Sequence, residues 1–242
     1  MRLLGVIAAF PRELLPLVEG WRAAEARDRG QRAWRGAIGS TECIAICSGM
    51  GKAAAARSCS FAESFGHLDA LISFGWAGAI SCGIQGGQAY TVDEVIDAAT
   101  GQRFAATGLG APSAPRARSP LRLLTIDHVA QAEEKRALAE RFRAVLVDME
   151  AATVAAAACA KGIAFYCLKG VSDTPGDRLP DFSRFTDVEG GLRMRAVLAH
   201  LAVRPKYWRS IADMSKNSKA GAEAAACALR ELVEHHANQA NG

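Results

Sequence analysis

The sequence predicts an α/β fold, a sandwich built on a largely parallel sheet. Two observations carry this. Short runs rich in Ile, Val and Leu, at residues 3–9, 42–47, 69–75, 121–125, 144–148 and 164–170, read as strands. Between them lie segments of helical periodicity with many alanines, at 12–26, 52–66, 131–143, 150–161 and 188–200. Strand–helix alternation of this kind argues for parallel strands covered by helices. A third observation, 242 residues of which 50% are apolar, suits one domain, 1–242, with a full core.

Each element has a local reason. Leu3 to Ala9 is apolar but short, and Pro11-Arg12-Glu13 interrupts it. It therefore reads as a first strand rather than a signal peptide. Helix 12–26 follows. Strand 42–47 leads into Ser48-Gly49-Met50-Gly51-Lys52, a glycine turn that opens helix 52–66. Strand 69–75 runs into the small residues around Trp76: Gly75, Ala77, Gly78 and Ala79. Residues 101–120, rich in Gly, Ala, Pro, Ser and Arg, read as a loop. Strand 121–125, helix 131–143, strand 144–148 and helix 150–161 come next, then strand 164–170. From about residue 203 the chain changes to a basic, aromatic helical extension, starting Arg204-Pro205-Lys206-Tyr207-Trp208. A pair of helices packed on the sandwich is the favoured reading of it. The alternative is a basic amphipathic surface for peripheral contact with the inner face of a membrane or with a greasy substrate.

Composition narrows the function. The net charge of +4 is mild and the basic residues are spread through the body, so nucleic acid is not an expected partner. Seven cysteines without a CxxC, several inside apolar segments, read as buried thiols of a reducing cytoplasm. The five histidines lack zinc-ligand spacing, and no metal or other cofactor is expected. No apolar run is long enough to span a bilayer. The expected location is cytoplasmic.

Two acids stand out. Val147-Asp148-Met149-Glu150-Ala151-Ala152 delivers Glu150 from a strand end to a helix start. About two dozen residues on, Ser172-Asp173 follows the next strand. Parallel neighbours would bring both acids to the carboxyl edge, where open α/β sheets bind ligands. One acid would bind and the other donate a proton. Glu13, after the first strand, would reach the same edge, although a solvated first-turn Glu is as good a reading. Asp148 is expected to point the other way. Gly49, Gly51 and Lys52 form either a tight turn or, with Arg12, an anion site at a helix N-terminus.

These pieces resemble the signature of the purine and uridine phosphorylase superfamily, which includes the methylthioadenosine/S-adenosylhomocysteine nucleosidases. The resemblance rests on Gly49–Ala54, Phe74–Ala79, Val147–Ala152 and Lys169-Gly170-Val171-Ser172-Asp173, whose order and spacing cover residues 1–200. It implies a three-layer αβα sandwich with a central twisted mixed, mostly parallel sheet. A narrower resemblance, to the hopanoid-associated phosphorylases, rests on Arg178–Phe182, Arg184–Gly190 and the tail to Ser218. It implies removal of adenine from an adenosine-type nucleoside with a large apolar 5′ group, such as adenosylhopane.

The resemblance also implies roles. Asp173 protonates N7 of the departing purine and Ser172 orients it. Glu150 binds the ribose hydroxyls, with Met149 packed on the ribose. Glu13 positions or activates a water. The backbone near Val129 contacts the base, and Phe182 stacks on it or closes the pocket. Gly75 floors the sugar site. Where the phosphorylases hold phosphate, this chain has Ser73 and Trp76, which leaves water and inorganic phosphate open as nucleophile. Trp76 would be a pocket wall. A homo-oligomer is implied as well. Competing readings are an ordinary nucleosidase for small 5′-thioadenosines and a non-catalytic nucleoside-binding protein on the same fold.

Overall fold

The computed structural model describes residues 3–26, 30–107, 120–177, 185 and 208–240. Its centre is a strand buried along its whole length, β1 (Leu3–Ala8). Burial on both faces is the mark of an inner parallel strand. Strand β1 lies between β4 (Thr41–Cys47) and β5 (Ala70–Ala79), parallel to both. On its far side β5 pairs along its length with β11 (Ala164–Asp173), again in parallel. The sheet is mixed. Strands β2 (Arg22–Ala24) and β3 (Arg32–Ile38) add an antiparallel edge beside β4. Strand β6 (Ala89–Thr91) pairs antiparallel with β11. Strands β7 (Glu94–Asp97), β8 (Arg103–Ala105), β9 (Arg122–Thr125) and β10 (Leu146–Asp148) complete the other end.

The side chains of the inner strands alternate between two apolar layers, as a pleated strand requires. Leu3, Ile7, Ile44, Ile46, Leu71, Phe165 and Cys167 face one layer, which holds Ala55, Cys59 and Ala62 of helix α2 (Lys52–Glu63) and Val154, Ala155 and Ala158 of α4 (Ala151–Lys161). Leu4, Val6, Cys43, Ala45, Ile72, Phe74, Tyr166 and Leu168 face the other, with Leu14 of α1 (Pro11–Leu14) and Ala225, Leu229 and Val233 of the last helix. That is the expected three-layer sandwich. Helix α3 (Ala132–Phe142) packs Leu138, Ala139 and Phe142 on a smaller cluster with Leu124 and Val147. Burial pushes the thiols of Cys43, Cys47, Cys59 and Cys167 up to about 12, so they act as small apolar groups.

Several expectations are corrected. Helix 12–26 shrinks to the four residues of α1, because Pro16 and Gly20 break the pattern and β2 follows. Strand β3 was hidden by its Arg, Gly and Ala; it lies between β2 and β4, with Ala33 and Ile38 buried and Arg32, Arg35 and Ala37 exposed. Strand β8 lies inside the expected loop 101–120. Strands β10 and β11 are not neighbours. Both hang on β5: β11 runs parallel along its length, and β10 pairs antiparallel with Gly78 and Ala79 at its end. Among the described residues the tail is one continuous helix, α5 (Trp208–Ala240), rather than two. It spans about 50 Å. Helix 188–200 and the Arg204–Tyr207 segment lie outside the described residues. Among the described residues no helix is long and apolar enough to cross a membrane.

Helix α5 crosses β11 at a glycine pair. A Cβ on Gly170 would lie 2.4 Å from the Gly221 backbone. The missing side chains let the helix sit directly on the strand, and this fixes its upstream turns over the end of β5.

Candidate active site

A cleft of about 150 Å³ opens where β1 and β11 end, beside the second half of β5. Four carboxylates line it: Glu13, Asp148, Glu150 and Asp173. Met149, Ser172, Trp76 and Val129 line it too, with Phe10, Met50, His128, Lys135 and Met214.

Glu13 is buried beneath the cleft, where the chain turns from β1 into α1. Its Oε2 accepts the amides of Ala9 (2.8 Å) and Phe10 (2.7 Å), and its Oε1 accepts the Trp76 amide (2.8 Å). Burial pushes this carboxyl up, against the opposing pull of those amides and of Lys169. The carboxylate sits where a side chain on Gly75 would be. A Cβ there would lie 2.6 Å from Oε1, and Gly75 has φ +120°, a conformation that other residues rarely adopt. Gly75 thus serves the site by making room for an acid.

Gly78 does the same for Asp173, whose Oδ2 would be 2.9 Å from a Cβ at that position. The β5–β11 register shifts between Val171 and Asp173, a bulge at Ser172. Bulges of this kind re-aim side chains beside functional sites. Ser172 Oγ donates to Asp173 Oδ1 (2.6 Å) and lies 3.3 Å from the Ala77 carbonyl. On the other oxygen, Lys135 Nζ donates to Asp173 Oδ2 (2.5 Å) and to the Thr174 carbonyl (2.9 Å).

Glu150 begins one helix and turns its carboxylate to the start of another. It is the N-cap residue of α4, and its Oε1 accepts the Gly51 amide (2.7 Å) at the start of α2. Burial, then the nearby Asp148, push its carboxyl up to about 7, while Lys169 and the Gly51 amide pull the other way. Asp148 does not point away, as expected, but into the same cluster. Its Oδ1 accepts from Thr125 Oγ1 (2.7 Å), and its Oδ2 accepts the Ala151 amide (3.0 Å) and Lys169 Nζ (3.0 Å). Burial works against the Lys169 ammonium, but Asp148, Cys167 and Glu150 together outweigh it and hold the lysine above its usual value.

The expected anion cradle is already engaged. The Gly49 amide donates to the Ala9 carbonyl (3.0 Å) and the Gly51 amide to Glu150. Lys52 Nζ is paired with Asp97 at 2.9 and 3.0 Å. Arg12 is exposed. The anion at the N-terminus of α2 is the chain's own Glu150, so that helix end is not open to phosphate in the expected way. Ser73 is fully buried inside β5 and does not line the cleft. Phe182 lies outside the described residues.

The cleft's apolar wall joins Phe10 and Trp76, ring centroids 6.3 Å apart, with Met214 of α5. Trp76 Nε1 donates to the Ser218 carbonyl (2.8 Å), which ties the helix to the wall. At the opposite side His128 bridges Asp127 (2.8 Å) and Glu134 (2.9 Å). Asp127 and then Glu134 raise its pKa against the effect of partial burial.

Sequence reasoning missed Lys135, Lys169 and His128 as parts of the site. The two lysines had a signal. Lys169 interrupts an apolar strand, and Lys135 heads the stripe Lys135, Leu138, Ala139, Phe142 on α3, both positions where a core residue belongs. Among the described residues no group of three or more His, Cys, Asp or Glu side chains is placed to hold a metal ion.

The chain is an α/β sandwich that gathers four acids beside its strand ends, the edge where open α/β sheets bind their ligands. Among such sandwiches it belongs to the phosphorylase superfamily, whose family model matches residues 3–131 and 125–202. No curated protein matches its sequence. Solved structures share its fold. One is the 5′-methylthioadenosine/S-adenosylhomocysteine nucleosidase of Neisseria meningitidis in complex with methylthio-immucillin-A, at TM-score 0.72 and 18% identity, covering 97% of this chain and 100% of that one. The corresponding Helicobacter pylori nucleosidase gives 0.71 and 17%, with 97% and 98% covered. The futalosine hydrolase of Helicobacter pylori gives 0.70 and 16%, with 97% and 98% covered.

Proposed function

We propose that the protein is a nucleosidase that hydrolyses the N-glycosidic bond of an adenosine-type nucleoside and releases adenine. One observation carries this reading: four carboxylates surround one cleft, and the backbone donors that would hold a phosphate are spent on them or on the fold. Glycosidic cleavage builds positive charge on the sugar, which such a cleft stabilises. A phosphate dianion would meet the same acids and be repelled.

In this reading the bond from C1′ to the base breaks and its electron pair leaves with the base. Asp173 gives N7 a proton, Glu150 accepts hydrogen bonds from the ribose hydroxyls, and Met149 packs on the ribose. Glu13, its basicity raised by burial, takes the proton of the water that attacks C1′. Gly75 and Gly78 hold the acids in place. The base lies toward Val129, His128 and Asp173.

The 5′ substituent is assigned to the wall of Phe10, Trp76 and Met214. Its apolar character, together with the resemblance to hopanoid-associated phosphorylases, supports a large apolar 5′ group. The ordinary nucleosidase reading is favoured by the small size of the cleft, about 150 Å³. Cytoplasmic location, a homo-oligomer and any membrane contact rest on the resemblance and composition alone.

The test is a product assay with purified protein. Adenine release should proceed without phosphate and yield a free ribosyl product. Strict phosphate dependence with a ribosyl 1-phosphate product would overturn hydrolysis. Rates on 5′-alkyl adenosines against 5′-methylthioadenosine decide the 5′ group, and a clear preference for methylthioadenosine would refute the large apolar substituent.

A further inference from the structure

We propose that Lys135 stores the proton that Asp173 delivers to the departing base, an inference that rests on the nucleosidase reading. Both oxygens of Asp173 already receive donors, Ser172 Oγ on Oδ1 at 2.6 Å and Lys135 Nζ on Oδ2 at 2.5 Å. A carboxylate that accepts a hydroxyl and an ammonium is charged, so in the resting site it is not a loaded acid. The nearest transferable proton is on Lys135.

The placement of this lysine has no packing rationale. It is the buried residue of α3 among those described, on the face where Leu138 and Ala139 continue the apolar stripe. A leucine would suit that position, whereas a buried ammonium is costly unless paired. Its side chain and that of Asp173 are 2% and 8% exposed, so water does not screen the pair. The Thr174 carbonyl holds a second ammonium hydrogen at 2.9 Å and fixes Nζ against Oδ2.

The step balances. As the glycosidic bond breaks, an N–H bond of Lys135 breaks and an O–H bond forms on Asp173 Oδ2. That O–H bond then breaks as N–H forms on the base. Lys135 is left neutral and regains its proton from solvent after adenine departs. Lys135 acts through Asp173, so it is a positioning and proton-supplying residue.

The experiment compares wild type, Lys135→Gln and Lys135→Arg on two substrates. One is an adenosine-type nucleoside, whose base needs the proton. The other is 4-nitrophenyl β-D-ribofuranoside, whose leaving group departs as a stable anion. Lys135→Gln should lose about 10²–10⁴-fold in kcat on the nucleoside with KM changed by no more than about threefold, and less than about tenfold on the nitrophenyl riboside. Lys135→Arg keeps a charge opposite Asp173, and with it the fold, but has no proton to give at accessible pH. It should fail on the nucleoside as Lys135→Gln does. Arginine restoring adenine release to within about threefold of wild type would overturn the proposal. So would equal losses on both substrates, or an unaltered Lys135→Gln in an active wild-type background. A wild type that releases no adenine would sink the nucleosidase reading together with it.

Discussion

The Gly51 amide donates to Glu150 Oε1 at 2.7 Å, so the glycine turn that opens α2 holds a carboxylate of this chain. That contact changes the meaning of the glycine loop. A helix N-terminus attracts an anion, and here it anchors the acid assigned to the ribose. The same contact ties α2 to the start of α4.

Glu150 should therefore impose a pH dependence on substrate binding. Its carboxyl titrates at about 7 in the fold, against an ordinary 4.5, because burial and then Asp148 disfavour its charge. Only the ionised form accepts from both ribose hydroxyls. KM should rise as pH falls below about 7, by up to about tenfold per pH unit, while kcat changes less. Stability runs the other way. The folded state binds this proton more tightly than the unfolded chain, so the contribution is complete below about pH 4.5 and lost as pH rises through 7. Glu150→Gln should raise KM and flatten both dependences between those limits. Initial rates and thermal melts over this window check it.

Gly75→Ala should inactivate the protein more than it unfolds it. The new methyl would enter the space of the Glu13 carboxylate, 2.6 Å from Oε1, at a backbone φ of +120°. The strain is of order 1–3 kcal/mol, and relief requires Glu13 to leave the Trp76 amide. We expect kcat/KM to fall at least about tenfold and the melting temperature to drop by several degrees. A stable, fully active Gly75→Ala would contradict the role given to this glycine.

The sequence made the layers legible because β1, β4, β5 and β11 are continuous apolar runs and the covering helices are rich in alanine. It hid β2 and β6–β8, which are only three or four residues long, and β3, whose Arg, Gly and Ala carry little pattern. Glu13, Glu150 and Asp173 were legible because each follows a strand. The pairing of β10 was not, since antiparallel attachment to the last residues of β5 leaves no local trace. The lysine partners were readable only as violations of an apolar pattern, and their acids only from the fold.

Asp173→Asn should cost both activity and stability, and the two losses should separate. Activity falls about 10²–10⁴-fold through loss of the acid. Stability falls because Lys135 is left with no charge opposite it in a site where its side chain is 2% exposed. Breaking a buried pair from one side typically costs about 3–5 kcal/mol. The double variant Lys135→Met, Asp173→Asn should recover much of the melting temperature and none of the adenine release. Denaturant unfolding of the four proteins in this cycle gives the coupling directly. A double variant as unstable as the sum of its parents would show that the pair does not act as a unit.

Gly170→Ala tests whether α5 shapes the substrate wall. A methyl there would lie 2.4 Å from the Gly221 backbone, and two backbones cannot share that space. The helix must lift from β11, which pulls the Ser218 carbonyl from Trp76 Nε1 and moves Met214 from the cleft. Overpacking of this kind costs about 1–3 kcal/mol. The acids stand on α1, β10, the start of α4 and β11 rather than on α5, so kcat for a nucleoside with a small 5′ group should change little. KM for a 5′-alkyl adenosine should rise about tenfold, the loss of one apolar contact of roughly 1–2 kcal/mol. Equal effects on both substrates would place the 5′ group away from Trp76 and Met214.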